Sequence, residues 1–384
     1  MRVLNVHSGN LYGGVETILT TLVQHREFCP GLELHFALCF DGRLRQELAS
    51  SQAPVHPLGE ARVRRPWSIF KARANLRRLL VGRPFELVVC HSAWSQALFA
   101  PVAKALGIPQ VFWLHNRAAG DHWTERWARR TVPDLVLCVS QSTAASVGNL
   151  YARAPSEVCY SPLAWPAAGN SPADRAAVRA ELGTATDATV IIQVSRMESW
   201  KGHRLHLEAL GRLRDMPGWT CWQVGGAERP AELDYFAGLK ERATQLEVAE
   251  RVRFLGRRSD VPRLLSGADV FCQPNLDTEG FSIAFMEALA ARLPIITTAI
   301  GGALEIVDET CGLLLPVNDV EALTAALRRL ILEPATRHRL GAGGERRVRT
   351  LCDPERQMRR LHEIFQRVAA GGKAPPPGAG RSSR

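Results

Sequence analysis

Short apolar runs that end in polar or glycine-rich turns and lead into helical patterns recur along the whole chain. In the first half, the runs RVLNVHSG, ELVVCHS and LVLCVSQ are each followed by a segment with helical spacing. In the second half, the alternation continues with TVIIQVSRM, WTCWQVGG, RVRFLGR, DVFCQPN, PIITTAIGG and CGLLLPV. Strands that alternate with helices form parallel sheets with helices on both faces. The sequence therefore predicts an α/β fold built on Rossmann-like parallel sheets.

A length of 384 residues exceeds what one hydrophobic core usually supports, so two domains are expected. A stretch rich in proline and alanine, YSPLAWPAAGNSPADRAA, interrupts the alternation and marks the boundary. We predict an N-terminal Rossmann-like domain over 1–160, a linker over 161–178 and a C-terminal Rossmann-like domain over 179–352. Residues 353–370 are expected to form a helix that packs back on the N-terminal domain, and 371–384 a disordered tail. Because ligands bind beyond the carboxyl ends of parallel strands, two such sheets predict an interdomain cleft.

Cysteine and charge content narrow the class of protein. Nine cysteines, with no C-x-x-C spacing, are expected to be buried, reduced thiols, and the N-terminus lacks the apolar core of a signal peptide, so we predict a cytoplasmic location. The apolar stretch from Phe85 is interrupted by Glu86 and His91 and is not expected to span a membrane.

Residues 1–160 carry 18 Lys and Arg against 11 Asp and Glu, which predicts an acidic partner for this half. Nucleic acid is not expected, because no zinc spacing or recognition motif accompanies the charge.

Two loops carry groups that suit a phosphate. The segment SGNLYGGVE follows the first strand and opens a helix, so the N–H groups of Gly13 and Gly14 could contact a phosphate there. Taken alone, the glycine pair is better explained by a tight strand-to-helix turn, and its spacing is not that of a dinucleotide site. The segment VSRMESWKGH places Arg196 and Lys201 in one strand-to-helix loop, where a planar donor fork and a point charge fit a diphosphate. A solvated pair of surface cations is the alternative.

Glu279 and Glu287 bound a stretch of otherwise apolar or small residues, TEGFSIAFME. A buried carboxylate is costly unless it has a partner or a ligand. A helix is expected to begin near Gly280 and Phe281, which places Glu287 about 12 Å beyond Glu279, the scale of a nucleotide sugar. Each carboxylate could accept paired hydrogen bonds from vicinal hydroxyls, one from a sugar and one from a ribose. The alternatives are a helix cap for Glu279 and a helix-surface position for Glu287.

Taken in order, five motifs resemble those of a known family: GGVE at 13–16, SRMESWKG at 195–202, VRFLG at 252–256, EGFSIAFME at 279–287 and IGGALEIV at 300–307. The family is that of retaining GT-B glycosyltransferases, the group 1 glycosyl transferases of bacterial cell-envelope and polysaccharide synthesis. The resemblance spans nearly the whole chain. It implies transfer of a sugar, with retention, from a nucleotide diphosphate sugar to a hydroxyl of a glycan or lipid-linked acceptor. A place in cell-surface polysaccharide or lipopolysaccharide synthesis follows from the same resemblance.

The resemblance also implies roles for individual residues. It assigns catalysis to His115, Glu279, Arg196 and Lys201, the donor diphosphate to Gly13, Gly14, Arg196 and Lys201, the donor sugar to Glu279, Gly280, Phe281 and Ser282, and the ribose and base to Glu287, Leu255, Gly256 and Arg257. His91 and Asn116 are candidates for the acceptor side, although a structural role explains a strand-end histidine as well. The chain departs from the family pattern at Asn116, where an aspartate is common, at Ser195, where glycine is usual, and in the linker.

No metal or other cofactor is expected. The chain has no D-x-D string, and the D-x-E strings that begin at Asp319 and Asp353 are typical of helix starts. Cations and N–H groups would instead stabilise the charge that develops on the leaving diphosphate. Glu279 is expected to orient the donor without forming a covalent intermediate, because the two carboxyls are expected at opposite ends of the donor. A nucleotide-sugar 2-epimerase of the same fold and a catalytically idle sugar-nucleotide-binding subunit are the alternatives.

A basic segment of the N-terminal half suits an anionic membrane surface. Residues 61–85 contain eight Lys and Arg and no acid, with Trp67, Ile69, Phe70, Leu76, Leu79 and Leu80 interleaved. We therefore predict peripheral association with the inner face of the cell membrane, in which the membrane-facing residues are Arg64, Arg65, Trp67, Lys71, Arg77 and Arg78. An ordinary amphipathic helix with a solvated basic face is the alternative.

Overall fold

The structure, a computed structural model, describes residues 1–9, 13–163 and 172–371. The chain divides into two compact units, one formed by Met1–Ala164 with Cys352–Arg384 and the other by Trp165–Leu351. Each unit is built on its own parallel sheet with flanking helices. The predicted fold class, two Rossmann-like α/β domains, is confirmed.

The first unit is organised around one parallel sheet. Its strands are β1 Arg2–His7, β2 Glu33–Leu38, β3 Val55–Pro57, β4 Leu87–Cys90, β5 Gln110–Leu114, β6 Leu135–Cys138 and β7 Ser156–Val158. Its helices up to the boundary are α1 Gly14–Gln24, α2 Arg43–Ser50, α3 Pro66–Gly82, α4 Ala93–Ala105, α5 Trp123–Ala128 and α6 Gln141–Ala144. The spatial strand order is β3-β2-β1-β4-β5-β6-β7. The central strands are apolar runs buried along their whole length, as a sheet covered on both faces requires.

The second unit repeats this plan. Its strands are β8 Thr189–Val194, β9 Trp219–Val224, β10 Val252–Gly256, β11 Val270–Gln273, β12 Ile295–Thr298 and β13 Gly312–Leu315. Its helices are α7 Pro172–Glu181, α8 His203–Gly211, α9 Pro230–Gln245, α10 Val261–Gly267, α11 Ile283–Ala290, α12 Ala303–Ile306, α13 Val320–Leu332 and α14 Pro334–Cys352. The strand order is β10-β9-β8-β11-β12-β13, and every pair is parallel.

In each sheet the strand order reverses once, between two neighbouring strands. In the first sheet the reversal lies between β1 and β4, and in the second between β8 and β11. Helices on either side of such a point run to opposite faces of the sheet, which leaves a crevice at the carboxyl ends of the two strands. These two places are where the topology expects ligands.

A last helix, α15 Pro354–Ala369, belongs to the first unit. The guanidinium groups of Arg360 and Arg367 both pair with Glu157 at β7, and Arg360 also donates to the carbonyl of Val158 at 3.1 Å. The Sγ of Cys159 lies 3.7 Å from Oε1 of Gln357. The chain thus returns to the first sheet after the second unit.

A buried arginine fastens α7 to the second sheet. Arg179 is 2% exposed, and its guanidinium donates to the carbonyls of Gly267 and Thr186, each at 2.9 Å. Its remaining nitrogen lies 2.5 Å from Oδ2 of Asp269, which also accepts from the backbone N–H of Val190 at 2.7 Å. Every polar atom of this contact is paired, as a buried ion pair must be if it is not to destabilise the fold.

Several local predictions can now be compared with the structure. All nine cysteines are free and buried, as expected. Asp319 and Asp353 cap α13 and α15 by accepting backbone N–H groups at 2.9 and 2.8 Å, so both strings are helix starts as predicted. The described helices include none that is long and apolar enough to cross a bilayer.

Two element boundaries differ from the prediction. The linker was predicted over 161–178, but α7 begins at Pro172, because PADRAAVRAE has the composition of a good helix and Arg179 anchors it. Residues 164–171 lie outside the described residues, as do 372–384 of the predicted tail. The segment with helical spacing after LVLCVSQ forms only the four-residue α6, followed by a 3₁₀ turn at Val147–Asn149.

Candidate functional site

At the reversal point of the second sheet, Lys201 and Glu279 form an ion pair. Lys201 ends the loop after β8, and Glu279 lies in the loop between β11 and α11. The Nζ of Lys201 is 2.6 Å from Oε1 of Glu279, and the two side chains are only 9% and 18% exposed. The ammonium also sits 4.0 Å from the ring centre of Trp200, a cation–π contact that adds to its stabilisation. Two residues 78 positions apart in sequence are thus brought together by neighbouring strands.

The second oxygen of Glu279 is held by two amides. Its Oε2 accepts from Nε2 of Gln273 at 3.2 Å and from Nδ2 of Asn275 at 3.0 Å, and the two amides also bond to each other at 3.0 Å. This network fixes the carboxylate in one orientation. Gln273 and Asn275 were not predicted. The polar residues in the buried segment FCQPN were the signal that could have found them.

Glycines allow the loops around this pair to approach each other closely. Gly202 has φ of +74°, and a Cβ added there would lie 1.9 Å from the carbonyl oxygen of Pro274. On the other side, the N–H of Gly302 donates to the carbonyl of Glu279 at 2.9 Å, and a Cβ on Gly302 would lie 2.0 Å from the oxygen of Gly280. No other residue type fits at these two positions without moving the backbone that carries Lys201 and Glu279.

Arg196, in the same loop as Lys201, is open to solvent. Its side chain is 46% exposed and its Nη2 lies 3.0 Å from Oε1 of Glu198, so the cation is tethered but accessible. Ser195, where the family usually has glycine, lies 2.9 Å from Nε2 of His203 through its hydroxyl. The departure at this position therefore adds a hydrogen bond within the loop and removes no charged group.

Glu287 lies on α11 and is half-buried among apolar side chains. Within the described residues its carboxylate has no hydrogen-bond or ion-pair partner, and burial raises its pKa to about 7. The helix begins at Ile283, two residues later than predicted, with Ser282 as its N-cap. Gly280, Phe281 and Ser282, predicted to line the donor sugar, lie buried in the turn between Glu279 and this helix.

The residues predicted to contact the base lie at the carboxyl end of β10. Leu255 and Gly256 are half-buried, and the carbonyl of Gly256 accepts from the N–H of Gly225 at 2.9 Å. Arg257 is exposed and pairs with Glu228 at 2.5 Å. Because β10 is two strands from β8, this edge lies about 10 Å from the strand that leads to Lys201. That separation is of the order of a nucleoside diphosphate.

In the first unit, a histidine and a glutamate meet at the end of β1. The Nε2 of His7 is 2.6 Å from Oε1 of Glu16, and both residues are buried. Burial opposes ionisation of Glu16, but the hydrogen bonds from His7 and from the N–H of Gly13 outweigh it and lower the pKa of the carboxyl. Neither residue was predicted to matter. Glu16 is a buried acid in the otherwise uncharged helix GVETILTTLVQ, the same signal that drew attention to Glu287.

This contact changes the expectation for the glycine pair. The N–H of Gly13 donates to Oε2 of Glu16 at 2.8 Å, as in half of a capping box, so in this structure it is not available to a phosphate. The N–H of Gly14, at the exposed start of α1, has no partner in the described residues. The predicted phosphate contact therefore remains a prediction for both glycines, and Gly13 would have to release Glu16 to make it.

His91 and His115 also lie together at the carboxyl edge of the first sheet, after β4 and β5. The Nδ1 of His91 is 3.1 Å from Nε2 of His115, and Nε2 of His91 is 2.9 Å from Oδ1 of Asn5. His91 is 1% exposed, which favours a structural role over acceptor contact, whereas His115 is half-buried and Asn116 is exposed. Asn5 was not predicted, although a polar residue inside the buried strand RVLNVH was a usable signal.

The basic segment forms α3, and its outer face carries the predicted membrane residues. Arg64, Arg65, Trp67, Lys71, Arg77 and Arg78 are all exposed, as is Phe70. Four of the six interleaved apolar residues face inward instead: Ile69, Leu76 and Leu80 are core residues of the first unit and Leu79 packs against them. The helix needs these side chains to attach it to the sheet, so they cannot be membrane anchors.

Two family models match the chain, Glycosyltransferase Family 4 over residues 12–162 and Glycosyl transferases group 1 over residues 174–347. A GDP-mannose-dependent monoacylated alpha-(1-6)-phosphatidylinositol monomannoside mannosyltransferase of Corynebacterium glutamicum is 32% identical over 51% of this chain and 52% of its own length. The lipopolysaccharide core biosynthesis glycosyltransferase LpsD of Rhizobium meliloti is 28% identical over 96% of this chain and 99% of its own.

Among solved structures, Anabaena Alr3699/HepE in complex with UDP and glucose superposes with a TM-score of 0.83 at 21% identity, over 95% of this chain and 99% of that one. The chain thus spans about half the length of the Corynebacterium relative and nearly all of the other two. The two family models together cover most of both units, and the structural match covers both sheets. The chain therefore carries a Glycosyltransferase Family 4 region at 12–162 and a Glycosyl transferases group 1 region at 174–347, and it has the GT-B glycosyltransferase fold.

Proposed function

We propose that this protein is a retaining, metal-independent glycosyltransferase that moves a sugar from a nucleotide diphosphate sugar to a hydroxyl of a glycan or lipid-linked acceptor. The observation that carries the proposal is the buried pair of Lys201 and Glu279 at the reversal point of the second sheet, with Arg196 in the same loop. It supplies two cations for a diphosphate and one fixed carboxylate for sugar hydroxyls. The relatives' names, which include a GDP-mannose-dependent mannosyltransferase and a lipopolysaccharide core transferase, support the class.

Each group has a definite task in this reaction. When the bond between the sugar and the diphosphate breaks, negative charge grows on the outer phosphate, and Lys201 and Arg196 stabilise it. The N–H groups in the first turn of α11 point toward the same end of the sheet and add to the positive potential. These cations take the place that a divalent metal has in other transferases.

Glu279 orients the donor and is not a nucleophile. Its Oε1 is bonded to Lys201 and its Oε2 to Gln273 and Asn275, so three donors withdraw charge from the carboxylate. A free lone pair on Oε1 still accepts a sugar hydroxyl. Glu287, whose carboxylate has no partner in the described residues, would accept the two hydroxyls of the ribose.

An aromatic cluster supports a glycan acceptor in the first unit. Trp94, near the start of α4, contacts Trp123 and Trp127 of α5 with ring centres 5.4 and 5.5 Å apart. Trp123 is 45% exposed, so it offers an indole face on which a sugar ring can stack. These residues follow His91 and His115 along the chain, at the same carboxyl edge of the sheet.

The donor assignment is tested by nucleotide binding. We expect one of UDP, GDP or ADP to raise the Tm of the purified protein equally with magnesium and with a chelator. Lys201→Ala and Arg196→Ala should abolish the shift, while Arg328→Ala, which removes an exposed arginine of the same unit, should leave it intact. Binding that requires magnesium would refute metal independence. Binding that survives both substitutions would refute the donor site.

The stereochemical part is tested by the donor's slow hydrolysis. If the first sugar released, followed by NMR, has the anomeric configuration of the donor, transfer proceeds with retention. The opposite anomer would refute that part of the proposal. Release of free nucleotide with an unsaturated sugar would instead identify the 2-epimerase.

We also propose that α3 docks the protein on an anionic membrane. Trp67, Phe70, Lys71, Arg77 and Arg78 recur at helical spacing and share an arc of about 120° on the outer face of the helix, and Trp67 is 83% and Phe70 61% exposed. The two aromatic rings would enter the headgroup region while the cations meet lipid phosphates, and each cation near the surface contributes about 1 kcal/mol.

Vesicle sedimentation tests this surface. Arg77→Glu with Arg78→Glu should abolish binding to vesicles rich in phosphatidylserine, and Trp67→Ser should weaken it. Arg328→Glu, on α13 of the second unit, changes the net charge without touching α3 and should bind as the wild type does. Equal sedimentation of all four proteins would refute the membrane role of α3.

A further inference from the structure

Asn5, His91 and His115 form a chain of hydrogen bonds whose direction is fixed by one backbone carbonyl. The Nδ2 of Asn5 donates to the carbonyl of His35 at 3.3 Å, and a carbonyl can only accept. The amide oxygen of Asn5 must therefore face Nε2 of His91, 2.9 Å away, and that nitrogen must carry a hydrogen. Reversing the amide would set two acceptors against each other.

The protonation state of His91 determines which nitrogen donates in its contact with His115. His91 is 1% exposed, and the nearby carboxylate of Glu16 is already bonded to His7 and to the N–H of Gly13. Burial, with further contributions from His115 and His7, lowers the pKa of His91 well below its usual value. A neutral imidazole with its hydrogen on Nε2 presents a bare Nδ1, so Nε2 of His115 must donate across the 3.1 Å contact.

These hydrogen bonds leave Nδ1 of His115 without a hydrogen. Burial and the charge of His7 lower the pKa of His115 to about 3, so the ring is neutral and its single hydrogen is on Nε2. The Nδ1 is shielded from water and has no hydrogen-bond partner among the described residues, which makes it an unsatisfied acceptor in a half-buried residue. Such a nitrogen has already lost its hydration, so a hydrogen bond from an arriving donor is a net gain.

We propose that Asn5 and His91 are positioning residues that fix His115 as an acceptor, so that its Nδ1 receives a hydrogen bond from a hydroxyl of the bound sugar. The proposal rests on the proposed glycosyltransferase function and adds to it the direction of this contact. His115 accepts a hydrogen bond from a hydroxyl and does not present positive charge to the diphosphate. A donor or acceptor that lacks this hydroxyl is therefore discriminated against at His115.

The substitution Asn5→Asp reverses the chain without changing its volume. The new carboxylate loses the hydrogen bond to the carbonyl of His35, accepts from Nε2 of His91 and, as an anion, favours a second proton on that ring, so Nδ1 of His91 becomes a donor. Nε2 of His115 must then accept, and the hydrogen of His115 moves to Nδ1. Asn5→Leu, of similar size, removes the acceptor and leaves the orientation of both rings unspecified.

The first measurement is NMR of the ligand-free protein labelled with ¹⁵N in histidine, in which long-range couplings show which ring nitrogen carries hydrogen. We expect Nε2–H on both His91 and His115 in the wild type, and Nδ1–H on His115 in Asn5→Asp. A hydrogen on Nδ1 of His115 in the wild type, or an unchanged His115 in Asn5→Asp, would overturn the inference. This readout does not depend on activity, so it stands even if the glycosyltransferase assignment fails.

The second measurement is kinetic. In Asn5→Asp and Asn5→Leu we expect kcat/KM for transfer to fall at least tenfold, because one hydrogen bond to the sugar is lost. Nucleotide affinity, which belongs to the second unit, should not change in either variant and reports correct folding of that unit. Unchanged kcat/KM in both variants, together with the expected tautomers, would refute the positioning role.

Discussion

Because burial raises its pKa, Glu287 is expected to destabilise the folded state when it is ionised, and its proposed role is to bind the ligand. An ordinary glutamate has a pKa of 4.5, and burial raises that of Glu287 to about 7. The native state therefore binds its proton more tightly than the unfolded chain does. Stability contributed by a protonated Glu287 is lost as the pH rises from 4.5 to 7, and the full penalty applies above pH 7.

The magnitude follows from the two pKa values. At roughly 1.4 kcal/mol for each tenfold change in the ionisation constant, the penalty is about 3 kcal/mol at pH 8 and only about 1 kcal/mol at pH 5. Glu287→Gln removes the titrating group and keeps the shape. The amide has its own burial cost, but this cost is the same at both pH values. The stability of the variant should thus rise by about 2–3 kcal/mol relative to that of the wild type between pH 5 and pH 8.

The assay is urea unfolding of both proteins at the two pH values, with nucleotide affinity measured by calorimetry at pH 8. Because the carboxylate is proposed to hold the ribose hydroxyls, the same variant should bind nucleotide about tenfold more weakly or worse, the loss of a hydrogen bond to a charged group. Glu309→Gln, an exposed carboxyl of the same unit with no partner in the described residues, should change neither quantity. A stability difference that is the same at both pH values would refute the reasoning.

Two further predictions concern the backbone and the core of the second unit. Gly202→Ala should abolish nucleotide binding and lower the free energy of unfolding in urea by several kcal/mol, because its Cβ would lie 1.9 Å from the carbonyl oxygen of Pro274. Gly218 also has positive φ, but a Cβ there would have no atom within 4 Å, so Gly218→Ala should cost only about 1–2 kcal/mol. Equal costs would show that the clash is relieved freely. Arg179→Met should lower the urea stability by about 3 kcal/mol, since it leaves Asp269 with one charged partner fewer, and a neutral result would show that the anchor is replaceable.

The sequence by itself determined the fold class and singled out most residues of the proposed donor site. Runs such as TVIIQVSRM and PIITTAIGG became buried parallel strands because an uninterrupted apolar run can only be covered on both faces. The cost of burying charge singled out Glu279 and Glu287, and the structure places Glu279 in the loop after β11, where ligands are expected, and Glu287 in the second turn of the helix that follows. Boundaries such as the start of α7 were less certain, because helix propensity and the Arg179 anchor override the linker-like composition.

Only the tertiary structure decided which of these groups act together. It pairs Lys201 with Glu279 and adds Gln273 and Asn275, and it turns the N–H of Gly13 toward Glu16 instead of toward a ligand. It likewise joins strands β1, β4 and β5 through Asn5, His91 and His115. The physical reason is that a hydrogen bond needs its two atoms within about 3 Å in a fixed direction. Periodicity in a sequence specifies which face a residue occupies, but strand order and loop conformation set which residues from distant segments meet.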